Sequence, residues 1–160
     1  MKGIKVMRKR KVIGTFIDYV FDYDGMGVYA LVGKSDGKMY IGSSINIEKR
    51  LHEHEYFLSV HKGTKKLQAA VDSGERFVAI ILEKVPYGNN RFYIFEKEAE
   101  YIAAYDTIKN GYNAAPTTCR PVDELRKDVE YWKTSKSKHA PGIVEYVSNM
   151  IERYSKPIYK

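Results

Sequence analysis

Hydrolysis of a phosphodiester needs a base that takes a proton from water, a cation beside the developing charge and usually a metal ion. This 160-residue chain holds candidates for each role. Tyr29 or a histidine is a candidate base, Arg50 a fixed cation, and Glu98 an anionic ligand for a hard, oxygen-preferring ion such as magnesium or manganese. One carboxylate is a sparse ligand set, but magnesium keeps several waters and borrows phosphate oxygens from its substrate. Each residue also has a purely structural reading. A strand tyrosine is more often packing than chemistry, and with 14 tyrosines in the chain a lone one carries little weight. Arg50 alone reads as a surface helix residue, and His54 alone as a satisfied histidine beside an apolar stripe. Glu98 resists that treatment, because an unpaired carboxylate on an apolar stripe is costly to bury. A structural ion pair with Arg50 is its plain alternative.

The elements that position these residues follow from local patterns. Gly27 to Val32 and Lys38 to Ser43 read as two strands, and Lys34-Ser35-Asp36-Gly37 between them carries an Asp-Gly hairpin signal. With an even loop, paired positions sum to an odd number, so Tyr40 lies opposite an odd-numbered residue and shares a face with Tyr29. An odd loop separates them. Ser43-Ser44-Ile45-Asn46 offers capping side chains for a helix with Ile47, Leu51, Phe57 and Leu58 at helical spacing, and Arg50 and His54 stack four apart on it. A second helix is expected from about Lys65 to Asp72, burying Leu67, Ala70 and Val71, and a buried strand over Phe77 to Leu82.

The longest helix is predicted from Phe92 to about Lys109, with Phe95, Ala99, Ile102 and Tyr105 buried, Glu98 among them, and Asn110-Gly111 as its stop. Pro116-Thr117-Thr118 reads as a boundary. Pro121 opens a helix carrying Val122, Leu125, Val129 and Trp132, Lys133 to His139 reads as a flexible cationic linker, and a last helix after Pro141 buries Ile143, Val147, Met150 and Ile151.

The net charge of +7 is unevenly placed. Residues 1–21 carry six basic groups against Asp18, residues 22–115 carry 12 basic and 13 acidic, and residues 116–160 carry nine and six. A basic arm and tail around a neutral module suit a polyanionic partner; a solubilising charge run is the alternative. The hydrophobic fraction, 44%, is enough for one real core. No apolar run reaches the length that spans a bilayer, the N-terminus lacks a signal-peptide core, and the single Cys119 offers neither an internal disulfide nor a thiolate cage. A cytoplasmic protein is expected, in the host cell if a phage encodes it.

In order and spacing, Gly27 to Asn113 resembles the GIY-YIG nuclease family. Gly27-Val28-Tyr29 and Tyr40-Ile41-Gly42 match the two tripeptides, ten residues apart, and Ser43 to His54 resembles the family's arginine and histidine helix. Phe95-Glu96-Lys97-Glu98 matches the acidic helix, and Asn110-Gly111-Tyr112-Asn113 the closing turn. The resemblance implies an α/β (α+β) module, a small antiparallel three-stranded sheet flanked by helices, that hydrolyses DNA with one divalent ion. It implies Tyr29 as general base or relay, Arg50 on the scissile phosphate and Glu98 on the metal. Tyr40 and His54 assist in positioning or proton transfer, and Asn113 supports the site from the closing turn.

Gly42 is expected to let backbone approach the phosphate or the next helix. His61 stands near a further histidine of mobile-element members, with a different spacing to Leu67. Lys62, Lys65 and Lys66 are candidate phosphate contacts. The expected organisation is a basic arm over 1–21, a nuclease domain over 22–115 and a basic helical C-terminal extension over 116–160. The closest likeness is to phage or intron-encoded homing endonucleases, with a dimer on DNA one option. A structure-specific repair nuclease and a non-catalytic DNA-binding module are the alternatives.

Overall fold

The computed structural model describes residues 11–160. The elements run β1 (Lys11–Ile13), β2 (Ile17–Val20), β3 (Gly27–Gly33), β4 (Met39–Ser44), α1 (Ile47–Ser59), α2 (Lys65–Asp72), β5 (Phe77–Lys84), α3 (Arg91–Tyr105), α4 (Thr107–Asn110), α5 (Val122–Lys133) and α6 (Ala140–Ser155). The strands form one sheet in the order β1-β2-β5-β3-β4. Three strands were expected and five are present among the described residues, and the sheet is mixed, because β2 pairs parallel to β5. The additional strands come from residues 11–20, read from sequence as part of the basic arm. There Ile17 and Tyr19 point inward and alternate with Asp18 and Val20, a period-two pattern only four residues long and framed by charge. Lys2, Lys5, Arg8, Lys9 and Arg10 lie outside the described residues.

The hairpin loop holds four residues, so Tyr29 pairs with Gly42 and Leu31 with Tyr40. The even loop therefore places Tyr29 and Tyr40 on one face, as the parity argument requires. On that face Tyr29 and Leu31 pack against Ile47, Leu51 and Leu58 of α1 and Leu67 and Val71 of α2. On the other, Val28, Ala30 and Ile41 pack against Ile102 of α3. Strand β3, covered on both faces, reads as a continuous apolar run for that reason. A bulge interrupts its pairing with β5 between Val28 and Tyr29, where it locally re-aims the chain.

Helix α1 starts as its capping signals predict: the Asn46 side chain accepts from Lys49 N. Helix α3 is shorter than expected. Asp106 turns left-handed, with φ 49°, and the chain restarts as the short α4. Its buried stripe is Ile94, Glu98 and Ile102, four apart, whereas Tyr105 is 49% exposed. Residues 134–139 connect α5 to α6, with Ser135 N bonded to Trp132 O (3.2 Å) and Ala140 N to Ser137 O (3.1 Å). The residues expected to be buried on α6 are only half-buried, and Ala140 alone on that helix is fully covered.

Past α6 the chain returns to the sheet. Ile158 joins Met26, Val85 and Ile94, and its backbone bonds Gly88 N (2.7 Å) and Asn89 O (3.0 Å). No helix among the described residues is long and apolar enough to cross a membrane.

Candidate active site

Strand β4 is the sheet's edge, with α1 on one face and α3 on the other, so side chains from both helices meet around it. A cleft of about 680 Å³ opens there, lined by Tyr29, Tyr40, Arg50 and Glu98 together with Ser43 and Thr118. Four of the residues picked out in the sequence thus converge on one opening.

Tyr29 is 1% exposed, and its hydroxyl lies 2.7 Å from Nε2 of His54, itself 4% exposed. The rings of Tyr29 and Tyr40 both meet the His54 ring edge-on. Burial, with Arg50 nearby, lowers the His54 pKa to about 3, so the imidazole is neutral. A neutral imidazole has one bare nitrogen, and Nε2 accepts the Tyr29 proton if Nδ1 carries the other. Burial holds the Tyr29 phenol well above its ordinary value; Tyr40 adds to this and Arg50 opposes it. Tyr40 is raised by burial too, again against Arg50. Around His54 the site at rest therefore holds two neutral phenols, a neutral imidazole and the Arg50 guanidinium.

Arg50 Nη1 bonds Glu53 Oε2 at 2.9 Å, one turn along α1. Glu98, 3% exposed, makes no ion pair with Arg50 or with any other cation among the described residues, which removes its plain structural explanation. Its donors are instead Thr117 and Thr118. Burial raises the Glu98 pKa, while the Thr118 backbone N–H and the Thr117 and Thr118 hydroxyls pull it back. Ser43 Oγ also favours the charged form but falls short of a hydrogen bond and is buried without a partner. A carboxylate without a cation, next to an orphaned hydroxyl, fits a divalent ion that keeps most of its waters. Among the described residues no three His, Cys, Asp or Glu side chains cluster as a metal cage, so Glu98 is the protein ligand on offer.

Two expected residues act from behind the site. Asn113 completes the edge of β4: its Nδ2 donates to Ile41 O (2.8 Å), and its Oδ1 accepts from Ile41 N (2.8 Å) and Thr107 Oγ1 (2.7 Å). It does to Ile41 what a neighbouring strand would do, holding Tyr40 and Gly42 in register. Gly42 has a reason within the fold: a Cβ there would meet the Tyr29 hydroxyl at 2.5 Å, so the missing side chain makes room for the tyrosine.

The structure sets the remaining candidates apart. His61 sits beyond α1 with φ 56° and an exposed ring 3.5 Å from Asp72 Oδ1, and it does not line the cleft. Lys66 donates to the backbone oxygens of Ile108 (2.6 Å) and Asn113 (2.7 Å). Lys62 and Lys65 are exposed, and Lys65 borders a smaller depression on the other side of Tyr40 and Glu98. Sequence reasoning missed Thr117 and Thr118, taken for a domain boundary, and the cleft's far wall of Tyr87, Arg91, Tyr154 and Tyr159. Tyr154 and Tyr159 carry no local signal, because only the return of the C-terminal segment to Gly88 and Asn89 brings them in.

The model of the GIY-YIG catalytic domain matches residues 25–113. The chain belongs to the GIY-YIG family. Intron-associated endonuclease 1 of Enterobacteria phage T4 is 34% identical over 96 residues, covering 58% of this chain and 38% of that protein. This GIY-YIG chain therefore matches well under half the length of that curated relative. Two solved structures of the catalytic domain of the intron homing endonuclease I-TevI align with TM-scores of 0.54 and 0.51, at 31% and 32% identity. They cover 59% and 56% of this chain and 98% of each solved chain. Residues 114–160 thus lie outside the segment that the GIY-YIG model matches.

Proposed function

We propose that this protein is a divalent-metal-dependent DNA endonuclease that cuts at specific sites, in the manner of homing or restriction enzymes. The observation that carries the reading is the convergence of Tyr29, Tyr40, Arg50 and Glu98 on one cleft, with His54 bonded behind Tyr29.

In this reading the attacking water gives a proton to the Tyr29 oxygen as the Tyr29 proton passes to His54 Nε2. At rest that transfer is uphill, because burial and Arg50 both disfavour a charged imidazole. A substrate phosphate beside Arg50 offsets the guanidinium charge, so His54 becomes a better acceptor when DNA is bound. Arg50 then stabilises the charge that builds on the phosphorane oxygens. Tyr40 orders the His54 ring and the floor of the cleft. The ion that Glu98 would hold, magnesium or manganese, supplies positive charge to the scissile phosphate.

The DNA strand approaches along the rest of the cleft. Lys49 and Arg91 line it without an ion-pair partner among the described residues, and Tyr87 and Tyr159 are exposed beside them. Lys62 and Lys65 contribute flanking phosphate contacts. Incubation of the protein with linear duplex, plasmid and branched DNA, with magnesium or with EDTA, tests the proposal. Magnesium-dependent products with discrete ends on linear duplex support it. Cutting confined to branched substrates reassigns the protein to structure-specific cleavage, and no product on any substrate leaves only DNA binding.

A further inference from the structure

The Glu98 carboxylate is held unevenly. Oε2 receives Thr117 Oγ1 at 3.1 Å, Thr118 N at 3.3 Å and Thr118 Oγ1 at 3.2 Å. Oε1 has only the Thr118 hydroxyl, at 3.4 Å. A hydroxyl carries one proton, so the Thr118 Oγ1 donates to one oxygen at a time, and the shorter contact is to Oε2. The result is a carboxylate anchored through one oxygen with the other nearly uncommitted.

Both threonines lie past residue 113, where the family match ends. They are not loosely attached. Thr117 Oγ1 also lies 3.2 Å from Phe95 O, one turn before Glu98 on α3. Further along the same extension, the Tyr154 ring packs edge-on against Phe92 and Phe95, and Asn90 Nδ2 reaches Ser155 O at 3.4 Å. The extension therefore grips α3 from its N-cap at Asn90 as far as Glu98 itself.

Simple satisfaction of a buried carboxylate would explain donors on either oxygen, but not why the Thr117 hydroxyl, the Thr118 N–H and the shorter contact of the Thr118 hydroxyl all fall on Oε2. Carboxylates that bind metals are commonly oriented by hydrogen bonds to the oxygen that does not ligate, and loss of such a partner weakens metal affinity or activity about 10–100-fold.

We infer that Thr117 and Thr118 are positioning residues for the metal ligand: they fix Oε2 of Glu98 and leave Oε1 for the divalent ion, so that the C-terminal extension completes the catalytic site. This rests on the reading of Glu98 as the metal ligand. The account differs from that of an appended DNA-reading tail, because deletion or loosening of the extension acts on metal binding before it acts on DNA affinity.

The test titrates the full chain with Mn2+ alone and follows free Mn2+ by electron paramagnetic resonance, for the parental protein, Glu98→Gln, Thr117→Val/Thr118→Val and Thr117→Ser/Thr118→Ser. The valine variant keeps the side-chain shape and the Thr118 backbone donor, and circular dichroism checks its fold. It is expected to bind Mn2+ about 10–100-fold more weakly than the parental protein, with the magnesium dependence of cleavage shifted alike, and the serine variant to restore both. Should the double valine variant not fold, Thr118→Val alone carries the comparison, since Thr118 is exposed. Mn2+ affinity equal to the parental value in the folded valine variant, with Glu98→Gln still weakened, overturns this inference and leaves the nuclease reading intact. Parental protein that binds Mn2+ no better than Glu98→Gln overturns the metal-ligand reading and this inference with it.

Discussion

The Tyr29 hydroxyl lies 2.7 Å from His54 Nε2, joining the strand between β5 and β4 to helix α1 inside the core. Each group is the other's partner in a buried setting, so the contact holds the fold and, on the proposed function, also carries the proton. Tyr29→Phe leaves the imidazole nitrogen buried without a donor. Unfolding in urea is expected to show a loss of about 1–3 kcal/mol, and single-turnover cleavage a fall of about 10²–10⁴-fold. A stability loss with no change in rate would make the contact purely structural.

His54 also gives the fold an acid sensitivity. Its pKa is about 3 in the folded protein, held down by burial and by Arg50, against 6.5 in an unstructured chain. Between those values the unfolded chain takes up a proton that the folded protein refuses. Stability from this group is therefore at its full value above pH 6.5 and is lost as pH falls toward 3, at up to about 1.4 kcal/mol per pH unit. Denaturation midpoints measured across pH 3–7 should fall more steeply with acid for the parental protein than for His54→Gln. Parallel lines would contradict the assignment.

Asn113 closes β4 through three hydrogen bonds, two of them to Ile41. Asn113→Ala strands the Ile41 N–H and carbonyl at the sheet edge, at about 1–3 kcal/mol for each group that water does not reach. Chemical denaturation should show the loss, and hydrogen exchange should show the Ile41 amide exchanging faster than its neighbours on β4. An amide as protected as in the parental protein would mean that the edge is held by something else.

What could be read from the chain was what depends on short-range order. The four-residue loop set the face shared by Tyr29 and Tyr40, Asn46 marked the start of α1, and Glu98 stood out as a charge on an apolar stripe. What could not be read depends on contacts distant in sequence. β1 and β2 are too short to announce themselves and exist because β5 offers β2 a parallel partner. Thr117 looks like linker until α3 places Glu98 3.1 Å away. Gly42 is required by a tyrosine thirteen positions earlier, across the hairpin, which no neighbour in sequence reveals. His61 and Lys66 lie off the main cleft for the same kind of reason: the chain turns left-handed at His61, and Lys66 reaches the Ile108 and Asn113 carbonyls, both more than forty positions along the chain.

On the proposed function, the Glu98 carboxylate, buried and without a cation among the described residues, serves a metal-dependent cut in DNA. The most direct measurement is the nicking of supercoiled plasmid in magnesium by parental protein and by Glu98→Gln, with the folds of both verified. The parental protein is expected to convert the plasmid to nicked or linear form, EDTA to stop it, and Glu98→Gln to leave the plasmid supercoiled over the same time. Equal conversion by both proteins, or parental cutting that persists in EDTA, would contradict it.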